Sequence, residues 1–507
     1  MAKKQKADKK HDDAPVEAPV AGGSLPDDAA SADPDPNKPP VDPEWGCAED
    51  NPWTPIVPSD DTSDDDLISR IRQIDPARHS LVLSLKGIDA KEYDRIVRAN
   101  RMTFHSVGCT GDPAFQAPQD AVADAMTAQL GLPDASSFLY HLGDIAYKHT
   151  DEELVEDSEG ALRGGKMMES LYANELYAAY RSYNRPVFAI PGNHDGKYKA
   201  SDEGGATELK KSPMWHFLKN FCAAEAVTYP ANPDGVGDPS RSTQTQPYPF
   251  WVLDTPVAYI VGLYTNVCNG GALDDPATAS DPTGEHAVQY QWLVDRLRDI
   301  KGIRNGRALI VATHYPPYSG CANFNRRGAP QSPTTPGPHA KQTLAAVLQS
   351  AFAEAGEWPD LILSAHAHLY QRILYTLPST GGSVREIPCV IAGSGGHGPV
   401  EHLWTDCLKN EATEVRPPFP VVLPEGYKLP KGHSACVVAY NDVDFGFVRI
   451  SVDLNLGRLT GEYFAVYPIH SQPCRPASEA HCRTRHDSFT VDLATHKVAG
   501  NQPPDWR

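Results

Sequence analysis

Four short apolar runs in this chain are each cut off by a polar turn rich in histidine or aspartate. SFLYHL leads into GDIAY, PVFAI into PGNHDG, ALIVA into THYPPYS, and DLILS into AHAHLYQR. Runs this short, enriched in β-branched and aromatic residues, read as buried strands. Helical patterns separate several of them. MMESLYANELYAAYRSY precedes PVFAI, QYQWLVDRLRDI precedes ALIVA, and KQTLAAVLQSAFAEAG precedes DLILS. This alternation through residues 101–375 predicts an α/β sheet core. In such sheets ligands gather beyond the carboxyl ends of the strands, which is where all four polar turns stand.

The flanks read differently. Residues 1–62 are expected to form a disordered Pro/Asp-rich tail. Eleven of the 46 prolines fall in the first 60 residues, and such a segment has too little apolar surface to offset chain entropy. Residues 63–100 read as a helical lead-in. Ser63 is a candidate N-cap, Leu67, Ile71 and Ile74 share a face, and Pro76 ends that helix. GIDAKEYDRIVRAN then leads into the strand MTFHSVGC. A catalytic domain is expected over 101–470, with strands REIPCVIAG, SACVVAYN, FGFVRISVDL and TGEYFAVYP in its later part. A polar C-terminal extension is expected over 471–507, holding one strand-like piece, SFTVDL. Residues 197–247 and 320–340 read as long loops.

The net charge of −19 argues against a nucleic-acid polymer as partner, because phosphate backbones select positive surfaces. It leaves open a small phosphate ester, since bound cations reverse the local field. No run of about 18 apolar residues occurs, so no membrane partner is expected. The ten cysteines form no C-x-x-C pair. With no secretory signal pattern, a cytoplasmic location with reduced thiols is the expectation.

The polar turns carry the candidate chemistry. His366 and His368 sit two apart at a strand end, a spacing that sends both imidazoles to one face. Asn193, His194 and Asp195 follow the run PVFAI directly, and three polar residues there are hard to explain as packing. Asp144 ends another run, and one carboxylate can bridge two cations. His314 completes the group. Singly, each has a bland reading: Asp144 as a helix cap, His314 as a satisfied core histidine, Asn193 as a turn former. Jointly, on one kind of strand end, they point to a metal centre.

The order GD, GNHD, strand-end H and H-x-H resembles the calcineurin-like metallophosphoesterase superfamily over roughly residues 101–470. Tyr147 in GDIAY and the stretch AHAHLYQR look most like the purple acid phosphatase branch. The resemblance implies a four-layer α/β/β/α sandwich of two mixed sheets flanked by helices. It implies two divalent or trivalent metal ions (Fe, Zn or Mn) bridged by Asp144. One would take Asn193, His314 and His366, and the other His368, Tyr147 and a first-motif residue. His194 would be the acid that assists the leaving group. The implied reaction is hydrolysis of a small phosphomonoester or phosphodiester by a metal-activated water.

The first motif departs from that pattern. Where the branch carries aspartate in a G-D-x-G turn, this chain reads VGCTGDP, placing Cys109 at the matching position. Thiolate is a soft ligand at a site usually supplied with oxygen. Cys109 is then a ligand with altered metal preference, or Asp112 reaches inward instead, or the centre is weakened and the fold serves as a binding or regulatory module. Ala365 stands where the family usually has glycine before H-x-H. GSGGHG at 393–398 satisfies G-x-G-x-x-G, but Pro399 follows, so it reads as a tight loop whose His397 could line the pocket. Arg326 and Arg327 are weaker phosphate contacts, more simply read as solvated surface.

Overall fold

The computed structural model describes residues 80–111, 117–147, 171–195, 213–226, 241–265, 285–320, 343–378, 383–398, 400–401, 421–423, 429–442, 444–466 and 485–500. All of these fall within the compact unit Val41–Arg507. The expected N-terminal tail, the Ser63–Pro76 helix, Asp112, Arg326 and Arg327 lie outside the described residues.

Two mixed sheets form the core. Sheet A runs, in spatial order, β1 (Val82–Ser84), β5 (Trp251–Asp254), β6 (Ala258–Gly262), β7 (Ala308–Ala312), β8 (Leu361–Ser364), β10 (Val384–Ala392), β9 (Tyr370–Pro378), β12 (Ser434–Asn441) and β11 (Val421–Val422). Sheet B runs β16 (Lys497–Gly500), β15 (Arg485–Asp492), β14 (Arg458–Val466), β13 (Phe445–Asp453), β2 (Arg101–Val107), β3 (Leu139–His141) and β4 (Val187–Ala189). Each sheet has a parallel run: β6, β7, β8 and β10 at the centre of A, and β2, β3 and β4 at one end of B. Their residues are buried without alternation, as in ALIVA, because both faces are covered.

Aromatic side chains join the two sheets. Tyr140 of β3 stacks on Trp251 of β5 with centroids 6.0 Å apart, and Tyr370 of β9 stacks on Tyr463 of β14 at 4.0 Å. Helices flank this sandwich. The first helices are α1 (Leu85–Ile88) and α2 (Ala90–Ala99); the Asp89 carboxylate caps α2 at Glu92 N, and Asn100 ends it in the left-handed conformation. Next, α3 (Ala117–Gln129) packs on β13 and β14 of sheet B. After α4 (Pro213–Phe221) come α5 (Glu285–Ile303) and α6 (Leu344–Ala355), which pack on each other; Thr343 caps α6 and Gly356 closes it. The expected class, two mixed sheets with flanking helices, is the one observed.

Four local features differ from the sequence reading. The lead-in contains an edge strand, β1, paired in parallel with β5; three residues are too few to stand out beside a helical pattern. Residues Ala173–Ala178 form a π-helical turn where an α-helix is expected. Helix α4 falls inside the stretch read as a loop from 197 to 247. The polar extension supplies β15 and β16, so sheet B continues well past residue 470. Its polarity has two sources. One face of β15 is wet, and its buried Asp487 accepts hydrogen bonds from Arg372 Nε at 2.7 Å, Arg372 Nη2 at 3.0 Å and the Tyr370 hydroxyl at 2.6 Å.

Candidate metal centre

Parallel neighbours end side by side, and this places the polar turns together. Cys109, Asp144 and Asn193 follow β2, β3 and β4 of sheet B, while His314 and His366 follow the adjacent β7 and β8 of sheet A. The turns then interlock through their backbones. Cys109 N donates to Gly143 O at 3.0 Å, Thr110 N to Asp144 O at 3.1 Å, and Ala365 N to His314 O at 3.0 Å. Gly143, at φ +91°, presses so closely on Gly192 that a Cβ on either would collide with the other turn. This explains the glycine before Asp144 and the glycine before Asn193. Ala365 Cβ lies over Gly108, which has no Cβ to obstruct it. Alanine therefore fits in the place of the family's usual glycine.

Three of the candidate ligands are held in the left-handed region: Cys109 at φ 54°, Asp144 at 55° and His366 at 65°. Such conformations cost on the order of 1 kcal/mol or more each and cluster where function needs a set geometry.

At the buried heart of the site, oxygen and nitrogen acceptors face one another. His314 Nδ1 donates to Leu142 O at 2.8 Å, which turns Nε2 toward Asn193 Oδ1 at 3.0 Å and Asp144 Oδ2 at 3.3 Å. His366 Nδ1 reaches the same Asn193 oxygen at 2.9 Å. The Cys109 sulfur, an Asp144 oxygen and a His314 ring nitrogen all lie within 4.8 Å of one another. Lone pairs converging on one point suit a cation. Burial by itself lowers the His314 pKa, but the charge and hydrogen bond of Asp144, with the Leu142 carbonyl and Asp195, together outweigh it and the net shift is upward. Burial pushes the Asp144 carboxyl up, and His314 and His194 more than reverse this, holding it well below the usual range. Burial, then His314, keeps His366 far below the ordinary histidine value, so its ring is neutral and able to ligate. The donor set fits a metal.

The other candidates assemble beside this group. The Tyr147 hydroxyl donates to Asp144 Oδ2 at 3.0 Å and also meets the Cys109 thiol. The Cys109 sulfur accepts from His366 N at 3.2 Å. Burial and then the Asp144 charge push both the thiol and the Tyr147 phenol well above their usual pKa. His368 enters through ring contacts, 6.3 Å from Tyr147 and 4.9 Å from His397; burial and then His397 drop its pKa to about 3. His194 is half-buried, its ring centroid 4.2 Å from that of Tyr147, and its backbone N donates to Asp144 Oδ1 at 2.7 Å.

Four further residues support the centre, and three of them escaped the sequence reading. Asp195, named there without a role, is fully buried and accepts from Gly192 N at 3.1 Å, Ile145 N at 3.1 Å and Ala146 N at 3.2 Å, stapling the Asp144 turn to the Asn193 turn. Glu175, on the π-helical turn, accepts from Tyr147 N at 3.1 Å. His141 accepts from Gly143 N at 3.1 Å through Nδ1, which leaves its proton on Nε2 for Thr110 Oγ1 at 3.0 Å. Glu401 accepts from His368 N at 3.2 Å, and its own N donates to His368 O at 2.9 Å. Only Asp195 had a signal, its place after His194; the others become visible through contacts distant in sequence.

Among solved structures, the chain is similar to PhoD, at 12% identity over 80% of this chain and 72% of that one, with a TM-score of 0.46. It is similar to GAP50, the anchor in the inner membrane complex of Plasmodium, at 13% identity over 72% and 84%, with a TM-score of 0.37. A dimetal phosphatase from Danio rerio aligns at 10% identity over 72% and 96%, with a TM-score of 0.34. No curated protein matches the chain in sequence. The family model for calcineurin-like phosphoesterases matches residues 105–370, over half the chain and every turn from Cys109 to His368. The chain belongs to the calcineurin-like phosphoesterase family.

Proposed function

We propose that this chain hydrolyses a small phosphate ester at a centre of two metal ions. The observation that carries this reading is the convergence of Asn193 Oδ1, His314 Nε2 and Asp144 Oδ2 on one buried point, with the Cys109 sulfur and the Tyr147 hydroxyl beside the same Asp144 carboxylate. Asp144 would be shared between the ions. Asn193, His314 and His366 would hold one; Cys109, Tyr147 and His368 would hold the other. Iron, zinc or manganese suit this mixture of oxygen, nitrogen and sulfur donors. Two such cations supply charge to neutralise phosphoryl oxygens and acidify a water to serve as nucleophile.

The chain's own residues do the rest. Asn193 presents a neutral oxygen and is held between two imidazoles. His314 is oriented by the Leu142 carbonyl, which holds its Nδ1 proton and keeps Nε2 aimed at the point where an ion would sit. His194 is anchored through its backbone to Asp144, and its half-buried ring beside Tyr147 can give a proton to the departing alkoxide. No covalent intermediate on the protein is required.

The test joins metal content to turnover. Two ions per chain and hydrolysis of a chromogenic phosphate ester are expected after loading with manganese, iron or zinc. At most one ion with no turnover would sink the enzyme reading and favour a binding module whose centre is degraded at Cys109. We propose further that the substrate is a small ester rather than a nucleic-acid polymer.

A further inference from the structure

The loop from Asp144 to Tyr147 is neither helix nor strand, so it has no ladder to take up its amides. Two buried carboxylates do so instead. Asp195 accepts from Ile145 N at 3.1 Å and Ala146 N at 3.2 Å, and Glu175 Oε2 accepts from the next amide, Tyr147 N, at 3.1 Å. Asp195 belongs to the Asn193 turn. Glu175 comes from the π-helical turn Ala173–Ala178.

That turn is widened by the bond from Ala179 N to Asn174 O at 3.1 Å, and in it Glu175, Leu176 and Tyr177 are buried in succession. Leu176 and Tyr177 join the apolar core. Glu175, only 1% exposed, lies against the loops of Tyr147 and Gly111. A glutamate is almost never buried so fully unless it is paired, and π-helical turns are frequent at functional sites. The backbone of Glu175 is itself pinned, since Gln119 Nε2 of α3 donates to Glu175 O at 2.6 Å.

The carboxylate also reaches the Cys109 loop. A Cβ on Gly111 would collide with Glu175 Oε2 and with Ile145 O, so only glycine lets carboxylate and loop lie together. Gly111 O accepts from His397 Nδ1 at 2.6 Å, and the His397 ring lies flat on Tyr147 with centroids 3.4 Å apart. Tyr147 is thus held at its amide by Glu175 and on its ring by His397. Its hydroxyl donates to Asp144 Oδ2 at 3.0 Å beside the Cys109 thiol.

We propose that Glu175 is a positioning residue for phosphate-ester hydrolysis: by holding the Tyr147 amide, it sets the phenol at the ion that Tyr147 would bind. The proposal rests on the two-ion reading above. Asp195 joins the Asp144 turn to the Asn193 turn, whereas Glu175 acts at Tyr147, so loss of the Glu175 carboxylate weakens one ion and spares the other.

The experiment strips the full chain with chelator and follows the binding of zinc alone. A second measurement follows visible absorption after loading with ferric iron, where a bound phenolate gives a charge-transfer band; Tyr147→Phe identifies that band by abolishing it. Glu175→Ala removes the acceptor. Glu175→Gln keeps an oxygen acceptor without the charge, and Glu175→Asp keeps the charge one methylene short of the amide. Melting of each metal-free variant checks that it folds. The expected result for Glu175→Ala is one zinc equivalent unchanged, one weakened by ~10–100-fold, and a weaker, shifted iron band, with Glu175→Gln restoring both readouts. Unchanged affinity and band in Glu175→Ala would overturn the proposal and leave the two-ion reading standing. Equal weakening of both ions, the mark of a merely structural part, would do the same. Should Glu175→Ala fail to fold, Glu175→Asp decides: the same selective loss is expected, and an unaltered second ion and band would overturn the proposal. A single zinc equivalent in the unaltered chain, with no iron band sensitive to Tyr147→Phe, would overturn both.

Discussion

The two halves of the candidate centre are built by different means. Asn193, His314 and His366 are tied together by direct polar contacts of 2.9 to 3.0 Å and follow the strands β4, β7 and β8. On the other side the Tyr147 hydroxyl meets Asp144 and the Cys109 thiol, His368 stands edge-on to the Tyr147 ring, and His397 stacks on that ring. The first half is held by direct polar contacts between its donors. The second is held by a hydrogen bond to Asp144 and by ring contacts, and it holds the thiol that stands where the family carries aspartate.

The largest effect should come from removing what the halves share. Asp195→Ala leaves the Gly192, Ile145 and Ala146 amides without their carboxylate, at ~1–3 kcal/mol for each amide left unsatisfied. Both ions should be lost, and the metal-free protein should melt at a lower temperature. If both ions remain, the two turns are held by other means and the shared staple is misassigned.

His366→Ala should act on the first half alone. One ion should disappear, with activity falling by more than the ~10²-fold typical of second-shell changes, while the second ion stays. Metal analysis showing two ions in this variant would remove His366 from the ligand set. His194→Ala should leave both ions in place and lower turnover by ~10²–10⁴-fold, the range for general acid–base catalysis. Undiminished hydrolysis of esters with poor leaving groups would show that His194 is not the acid.

The smallest effect is expected at Cys109. Cys109→Asp should raise activity with manganese on the order of a few-fold, by placing a hard oxygen where the thiol sits. It should also reduce inactivation by peroxide, since a sulfenic acid no longer ligates as sulfur. If Cys109→Asp and Cys109→Ala both match the unaltered chain in metal content, turnover and peroxide sensitivity, the second half does not use the thiol.

Much was legible from sequence. The runs SFLYHL, PVFAI, ALIVA and DLILS needed no tertiary information to be read as buried strands, because continuous apolar stretches bounded by polar turns have few other uses. The turn residues Asp144, Asn193, His314, His366 and His368 were legible because a polar residue at a buried strand end is costly unless it serves a purpose. The edge strand β1 was hidden by its length; SFTVDL was read as a strand, but its place in sheet B was not, since the buried Asp487 is compensated by Arg372 from a strand more than a hundred residues earlier.

Sequence by itself determined the strand-turn rhythm, the sheet core and the inventory of donors, because these follow from local hydrophobic pattern and residue chemistry. Only the tertiary structure decided which donors meet. Nothing local says that His397 lies flat on Tyr147, that the Gly111 carbonyl sets its tautomer, or that Glu175 holds the Tyr147 backbone. Those contacts join residues 28 to 286 positions apart, and strand order with loop interlock brings them within a few ångströms.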